Sequence, residues 1–378
     1  MDEVYFDNAA TTRVDDAVIA RMTDVMKNEY GNPSSLHSRG VQAQLCMERA
    51  ANQIRTALGM KTGRLLFTSG GTESNNLALF GAAEAKKRLG RRIITTAVEH
   101  SSVLESAREL GRRGFEVIEL APDRDGRILL ETLEAALNDQ TILVSMMLVN
   151  NEVGTIQPVA EAARLVHRRC PNALFHTDAV QAFCKIPFRV GDLGVDLLSL
   201  SGHKIHAPKG VGALYLADKT RICPLLFGGG QQEGIRPGTE SVPMICALGA
   251  AAHEASTDLP AVTERLGVLR RRLTEGLEKT GAVLHTPQEG ASPFLLSFSV
   301  PGYRSETLLH FLEQRHIYVS SGSACSKGAK SHVLAAMGCS PREIDSALRL
   351  SFSKYSDIEQ ADRFLEGLGE ALSSLRRS

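Results

Sequence analysis

Ser199-Leu200-Ser201-Gly202-His203-Lys204 closes an apolar run, Val195-Asp196-Leu197-Leu198, that reads as the end of a strand. Gly202 permits a tight bend, which sets Lys204 on a loop entering the molecule. A lysine held there, partly desolvated, can give up its proton and form an imine with an aldehyde. The plainer alternative is a solvated surface lysine. Upstream, Ala173-Leu174-Phe175-His176-Thr177-Asp178-Ala179-Val180-Gln181 is another strand, and it ends in a carboxylate.

An aspartate at a strand's carboxyl end, one βα unit before a buried lysine, suits a pyridoxal phosphate (PLP) site. The carboxylate would pair with the pyridinium nitrogen and keep the ring an electron sink. Asp178 could equally cap a helix beginning at Ala179. In Thr68-Ser69-Gly70-Gly71-Thr72-Glu73 a strand turns into a helix. Backbone N–H groups at such a helix start, with the Thr72 hydroxyl, can hold a phosphate; an ordinary capped turn is the competing account. His100, at a strand-to-helix junction, could lie flat on a cofactor ring and move protons as a catalytic residue, or be a hydrogen-bonded structural residue. Asn150-Asn151-Glu152-Val153-Gly154 ends an apolar run, where amides can touch a ligand or cap the turn.

Two further residues carry possible chemistry. Cys325 lies in Ser320-Ser321-Gly322-Ser323-Ala324-Cys325-Ser326-Lys327-Gly328-Ala329-Lys330, where small residues leave a thiol accessible and two lysines favour the thiolate. The other cysteines, at 46, 170, 184, 223, 246 and 339, sit in apolar, helical or turn contexts without such flanks. Arg349 falls inside Ala347-Leu348-Arg349-Leu350-Ser351-Phe352-Ser353, which alternates like a half-buried strand. An arginine there needs an anionic partner, and a guanidinium grips a carboxylate through two hydrogen bonds. A structural ion pair would satisfy it too.

The elements that must position these residues are strands alternating with helices. Strands are expected at 64–67, 92–96, 115–120, 141–149, 174–178, 195–199 and 211–215, and a helix at 15–26. This pattern argues a mostly parallel α/β sheet covered on both faces. Each candidate group falls just beyond a strand's carboxyl end, where open sheets bind ligands. Residues 244–278 read as helical with a polar break at 254–260. Beyond it strands at 282–285, 294–299 and 317–319, a helix at 305–314 and a last helix from 358 form an α+β pattern. The expected division is a large domain, 15–255, and a smaller one made of 1–14 and 256–378.

Composition agrees with an enzyme. The 378 residues are 43% apolar and 23% charged, with formal net charge +0, which argues against binding nucleic acid or a membrane surface through bulk charge. No apolar run is long enough to span a bilayer. The acidic start, Met1-Asp2-Glu3, lacks the order of a signal peptide, so a cytoplasmic location is expected. Seven cysteines without a CxxC pair suggest neither a disulfide framework nor a zinc site, and no metal is expected.

Taken together these segments resemble the NifS/IscS-like cysteine desulfurases of the class V aminotransferase group, PLP enzymes of fold-type I. The likeness runs nearly end to end, through Asp7-Asn8-Ala9-Ala10-Thr11-Thr12, Gly31-Asn32-Pro33-Ser34-Ser35, Ser69 to Asn76, Glu99-His100, Asn150 to Gly154, His176 to Gln181, Ser201 to Lys204, Arg236 to Glu240 and Ser320 to Cys325. The resemblance implies a seven-stranded sheet in the large domain, with Cys325 carried by the small one. It implies that Lys204 holds PLP covalently, Asp178 pairs with the ring nitrogen, Gln181 with the ring hydroxyl, His100 stacks on the ring and Asn150 lies beside it. Gly71, Thr72, Ser201 and His203 would bind the phosphate, and Thr239 that of the partner subunit in a homodimer. Arg349, with Asn150, would hold L-cysteine. Lys204 would move the α-proton, and Cys325 would take the sulfur as a persulfide, leaving alanine. An iron–sulfur scaffold or a tRNA-thiolating enzyme would receive the sulfur.

Some positions depart from the family pattern. The stretch from Cys325 to Ser331-His332 is shorter than usual, and Gln232-Glu233 and Ser241 stand where Glu-Arg and Asn are common. Two other readings remain open. One is a selenocysteine lyase or other class V PLP enzyme; the other is a catalytically silent scaffold for iron–sulfur assembly.

Overall fold

The computed structural model describes residues 3–321 and 330–377. Cys325 and the lysine at 327 lie outside them. The chain begins with β1 (Val4–Tyr5), α1 (Asp16–Asn28) and α2 (Ser38–Ala57). Strands and helices then alternate: β2 (Arg64–Thr68), α3 (Gly71–Lys86), β3 (Arg92–Thr96), α4 (Ser101–Arg112), β4 (Glu116–Leu120), α5 (Leu130–Ala136), β5 (Thr141–Ser145), α6 (Val159–Arg169), β6 (Leu174–Asp178), α7 (Val190–Leu193), β7 (Leu197–Ser201) and β8 (Gly212–Leu216).

These strands form one seven-stranded sheet in the order β2-β8-β7-β6-β5-β3-β4. β8 is antiparallel to both of its neighbours; the other pairings are parallel. β5 to β8 are buried at every residue, as expected of strands with helices on both faces. One core cluster joins Ile54, Phe175, Leu198 and Leu248. Another joins Leu79, Ile93, Leu110 and Leu214. The parallel strands β3, β5, β6 and β7 end on one side; Asp178 is the last residue of β6, and the segments just beyond β3, β5 and β7 carry His100, Asn151 and Lys204.

Two long helices, α8 (Val242–Thr257) and α9 (Leu259–Glu278), lead out of this layer. The rest is built from β9 (Val283–Leu284), β10 (Leu295–Ser299), α10 (Ser305–Glu313), β11 (Ile317–Tyr318), β12 (Ser320–Ser321), α11 (His332–Ala336), α12 (Pro341–Asp345), β13 (Ala347–Ser351) and α13 (Ile358–Ser374). β12-β13-β10-β9 form an antiparallel sheet. Its core holds Leu266, Phe298, Leu312, Leu350 and Phe364, together with Val4 and Phe6 from the start of the chain. β1 pairs with β11, and Asp7 bridges to Ser351. No helix among the described residues is long and apolar enough to cross a membrane.

Four sequence expectations change. Helix α2 was not foreseen; its Ala43, Cys46, Ala50 and Ile54 form a narrow apolar stripe packed against α8. The strand expected at 141–149 stops at Ser145, beyond which the chain turns toward Val149 and its bridge with Ile156. The break expected at 254–260 shrinks to Asp258, so residue 255 lies within α8; Ala252 still belongs to the sheet-side core and Val262 to the other. β13 is buried throughout, not alternating, because both of its faces are covered: Leu348 and Leu350 join the small-sheet core, while Ala347 joins another cluster and Arg349 faces the cavity described below.

Candidate active site

A cavity of about 320 Å³ opens at the carboxyl edge of the seven-stranded sheet, and Lys204, Asp178, Gln181, His100, Gly71, Thr72, Ser201, His203 and Arg349 all line it. Residues more than two hundred positions apart in the chain therefore meet at one space.

Lys204 ends a single 3₁₀ turn, Gly202–Lys204, that follows β7. Gly202 is closely packed: a Cβ there would lie 3.0 Å from the Ala207 and Val211 side chains. The Lys204 Nζ donates to the carbonyls of Ala9 at 2.6 Å and Ala10 at 2.8 Å. The N-terminal segment thus closes one wall of the cavity. Beside it, burial and the neighbouring Lys204 push the His203 imidazole down to about 4; its Nδ1 lies 3.3 Å from Thr11 Oγ1.

Asp178 ends β6 and is buried. Its Oδ1 accepts from Val180 N at 2.9 Å, and its Oδ2 from Asn75 Nδ2 at 2.7 Å. The first bond caps a turn, so the capping account of Asp178 is met at the same time as its placement in the cavity. His100 likewise does two things: it caps α4, its Nδ1 accepting from Ser102 N at 3.1 Å, and it lines the cavity. Glu99, beside it, is fully buried; desolvation and then Asp178 raise its carboxyl well above the usual range.

The α3 N-terminus meets the cavity at Gly71 and Thr72 without a side-chain cap. Gly70, just before it, has φ 154 and ψ −175, a conformation essentially confined to glycine. Opposite, Arg349 rises from the middle of β13, where it is 2% exposed. Its guanidinium donates to Asp7 Oδ1 at 2.9 Å and to the Asn151 carbonyl at 3.0 Å. Its Nε has no partner.

One expected residue is replaced by its neighbour. Asn150 does not line the cavity, because its side chain is consumed by backbone: Nδ2 donates to Val98 O at 2.9 Å, and Oδ1 accepts from Glu152 N at 2.8 Å and Val153 N at 2.9 Å. Those bonds shape the turn that presents Asn151, which does line the cavity. Thr239 lies in an exposed loop outside the cavity lining of this chain. Cys325 lies outside the described residues. Two lining or adjacent residues had no sequence reading: Asn75, one helical turn beyond Thr72, and Lys185, four positions after Gln181. Neither amide nor lysine in those contexts departs from ordinary helix or surface usage.

The residues present fit PLP. The cavity offers an amine, a buried carboxylate, an amide and an uncapped helix start, which answer an aldehyde, a pyridine nitrogen, a ring hydroxyl and a phosphate. Three buried polar atoms at its rim, Asn75 Oδ1, Asn151 Oδ1 and Arg349 Nε, lack partners. Buried polar groups in folded proteins are nearly always paired, so a polar ligand is expected among them.

Comparisons with known proteins agree with this geometry. The family model described as "Aminotransferase class-V" matches residues 4–364. The chain is 41% identical over 378 residues to "Cysteine desulfurase IscS" of Methanosarcina thermophila, covering 99% of this chain and 93% of that protein. It is 40% identical to the protein of the same name from Dictyoglomus turgidum, at 99% and 95% coverage. A solved structure described as "NIFS-LIKE PROTEIN" superposes with TM-score 0.94 at 42% identity, covering 99% of this chain and 100% of that one. A second, "SspA in complex with cysteine", gives TM-score 0.81 at 32% identity, with 93% and 99% covered.

Proposed function

Because this chain belongs to the class-V aminotransferase family and matches its cysteine desulfurases end to end, we propose that it takes sulfur from L-cysteine onto Cys325 and releases L-alanine. Its general function is that of a PLP-dependent cysteine desulfurase with the fold-type I architecture. The observation that carries the finer reading is the meeting of Lys204, Asp178, Gln181, His100 and Arg349 at one cavity, with Arg349 Nε unpartnered there.

Lys204 would hold the cofactor through Nζ, with Asp178 at the ring nitrogen, Gln181 at the ring hydroxyl, and the α3 start, Ser201 and His203 at the phosphate. When bound, PLP supplies an electron sink next to the substrate's α-carbon. Arg349, with Asn151 beside it, receives the substrate carboxylate; the buried Nε supplies a charge-assisted hydrogen bond. Lys204 Nζ, exchanged for the substrate amine, takes the α-proton and returns it later. His203, neutral above about pH 4, can accept or donate without adding a positive charge. Cys325 Sγ attacks the substrate sulfur as a thiolate; the bond from that sulfur to Cβ breaks, the sulfur stays on Cys325, and Cβ gains a proton as alanine forms. That the similar SspA structure contains cysteine supports the choice of substrate. The persulfide would then pass to a sulfur-accepting protein of the iron–sulfur assembly or tRNA-thiolating kind. The working unit would be a homodimer, with Thr239 reaching the partner's phosphate.

The test is direct. Purified protein is expected to be yellow and to yield alanine and, with a thiol reductant, sulfide from L-cysteine. Cys325→Ala should keep the colour and lose turnover. Normal turnover by that variant would end this reading.

A further inference from the structure

Lys185 is a buried basic residue near the site that the reaction does not use. It is 5% exposed, and its Nζ donates to Gln181 Oε1 at 2.8 Å. Gln181 Nε2 in turn donates to the Ala9 carbonyl at 3.0 Å, the same oxygen that accepts from Lys204 Nζ at 2.6 Å. The two lysines are therefore joined by a short chain of hydrogen bonds through Gln181 and Ala9. Both also line a second, small cavity of about 30 Å³.

This arrangement is costly. The groups that face Lys185 are Lys204, Arg349 and Cys184, with His203 and His206 also feeling its charge. Burial first, and then the cations Lys204 and Arg349, push its ammonium down to about 7. Its hydrogen-bond partner is a neutral amide, where a buried ammonium ordinarily needs a carboxylate. The backbone is strained as well: Cys184 has φ 55, a left-handed conformation that a non-glycine residue rarely adopts. Strain and an unneutralised charge in one turn, beside the site, point to a role that apolar packing would not serve.

We propose that Lys185 is a positioning residue that fixes the orientation of the Gln181 amide. A charged ammonium can only donate and the Ala9 carbonyl can only accept, so with Lys185 protonated Oε1 faces Lys185 and Nε2 faces Ala9 on the cavity wall. Gln181 is thereby a hydrogen-bond donor to any ligand, and a bound PLP ring hydroxyl meets it as an acceptor. The inference rests on the PLP reading of the cavity. Without Lys185 only the Ala9 carbonyl opposes turnover of the amide, and the turned amide presents its oxygen, which repels an ionised ring oxygen. The proton shared near that oxygen is then held more tightly.

The test is the pH titration of the visible absorbance of the full-length protein with PLP bound. Lys185→Met should move the midpoint to higher pH by about one unit, the size of one hydrogen bond to a charged group. The kcat should fall while KM for L-cysteine stays near the parent value. In a Gln181→Met background the same change should move the midpoint less than half as far. Lys185→Gln, which can still donate to Gln181 Oε1, should keep the parent midpoint and serves if Lys185→Met does not fold. An unmoved midpoint in Lys185→Met, equal shifts in both backgrounds, or a full shift in Lys185→Gln overturns the role of Lys185. A parent protein with no visible band and no sulfide release overturns the function itself.

Discussion

The seven-stranded sheet and the four-stranded sheet reach the cavity in different ways. The large sheet presents its groups from turns just beyond strand ends, where each side chain also does local work. Asp178 caps the turn at Val180, and His100 caps α4. The small sheet presents Arg349 from the middle of a fully buried strand, held at two of its nitrogens and unpartnered at the third. On the proposed function, the first arrangement would be a pre-formed seat for the cofactor built out of backbone geometry, and the second would commit a buried charge to one substrate group. Binding of cofactor and binding of substrate should therefore fail separately.

The largest break in that comparison is Lys204→Ala. It should abolish the visible absorbance and lower kcat by about 10⁴-fold, the upper range for loss of a positioned base, with steady-state sulfide release as the measure. Arg349→Ala should leave the colour intact and raise KM for L-cysteine by roughly 10- to 150-fold, corresponding to about 1.5–3 kcal/mol for hydrogen bonds to a charged group. Arg349→Lys should recover only part of it, since a single ammonium cannot reproduce the fork. A colourless Arg349→Ala would mean that the two functions are not separate.

Smaller effects sharpen the same contrast on the large-sheet side. Gly70→Ala forces a side chain into φ 154 and should cost about 1–3 kcal/mol of stability, measured by urea unfolding, with weaker PLP retention. Below it comes a pH effect. His203 is held near 4 when folded, against 6.5 when free, so the unfolded chain binds the extra proton between those values. Stability should be full above pH 6.5, decline as pH falls from 6.5 toward 4, and gain no further loss from this group below 4. His203→Asn should flatten that slope in the cofactor-free protein.

The same contrast decides what was legible in the sequence. Residues at strand ends announce themselves, because an apolar run stops at a polar or glycine-rich turn; Asp178, Lys204 and the Gly70-Gly71-Thr72 step were visible this way. Arg349 was legible for the opposite reason, a charge where a strand should be apolar. Asn150 and Asn151 were not separable, since two adjacent amides in a turn differ only in which one the backbone consumes. Lys185 and Asn75 were silent: nothing in the types or spacing of their neighbours distinguishes a buried lysine or amide from a solvated one. Helix α2 escaped because much of its buried face is small, Gly40, Ala43, Ala50 and Ala51, while Val41 and Leu45 lie exposed on other faces and blur the apolar stripe.

The most direct test of the account follows the sulfur itself. The protein is mixed with L-cysteine in the absence of a thiol reductant, digested, and the peptide carrying Cys325 is weighed by mass spectrometry. The account predicts one added sulfur atom on Cys325 and an equal amount of alanine. Alanine and sulfide formed at the parent rate while Cys325 remains an unmodified thiol, or in Cys325→Ala, would contradict it.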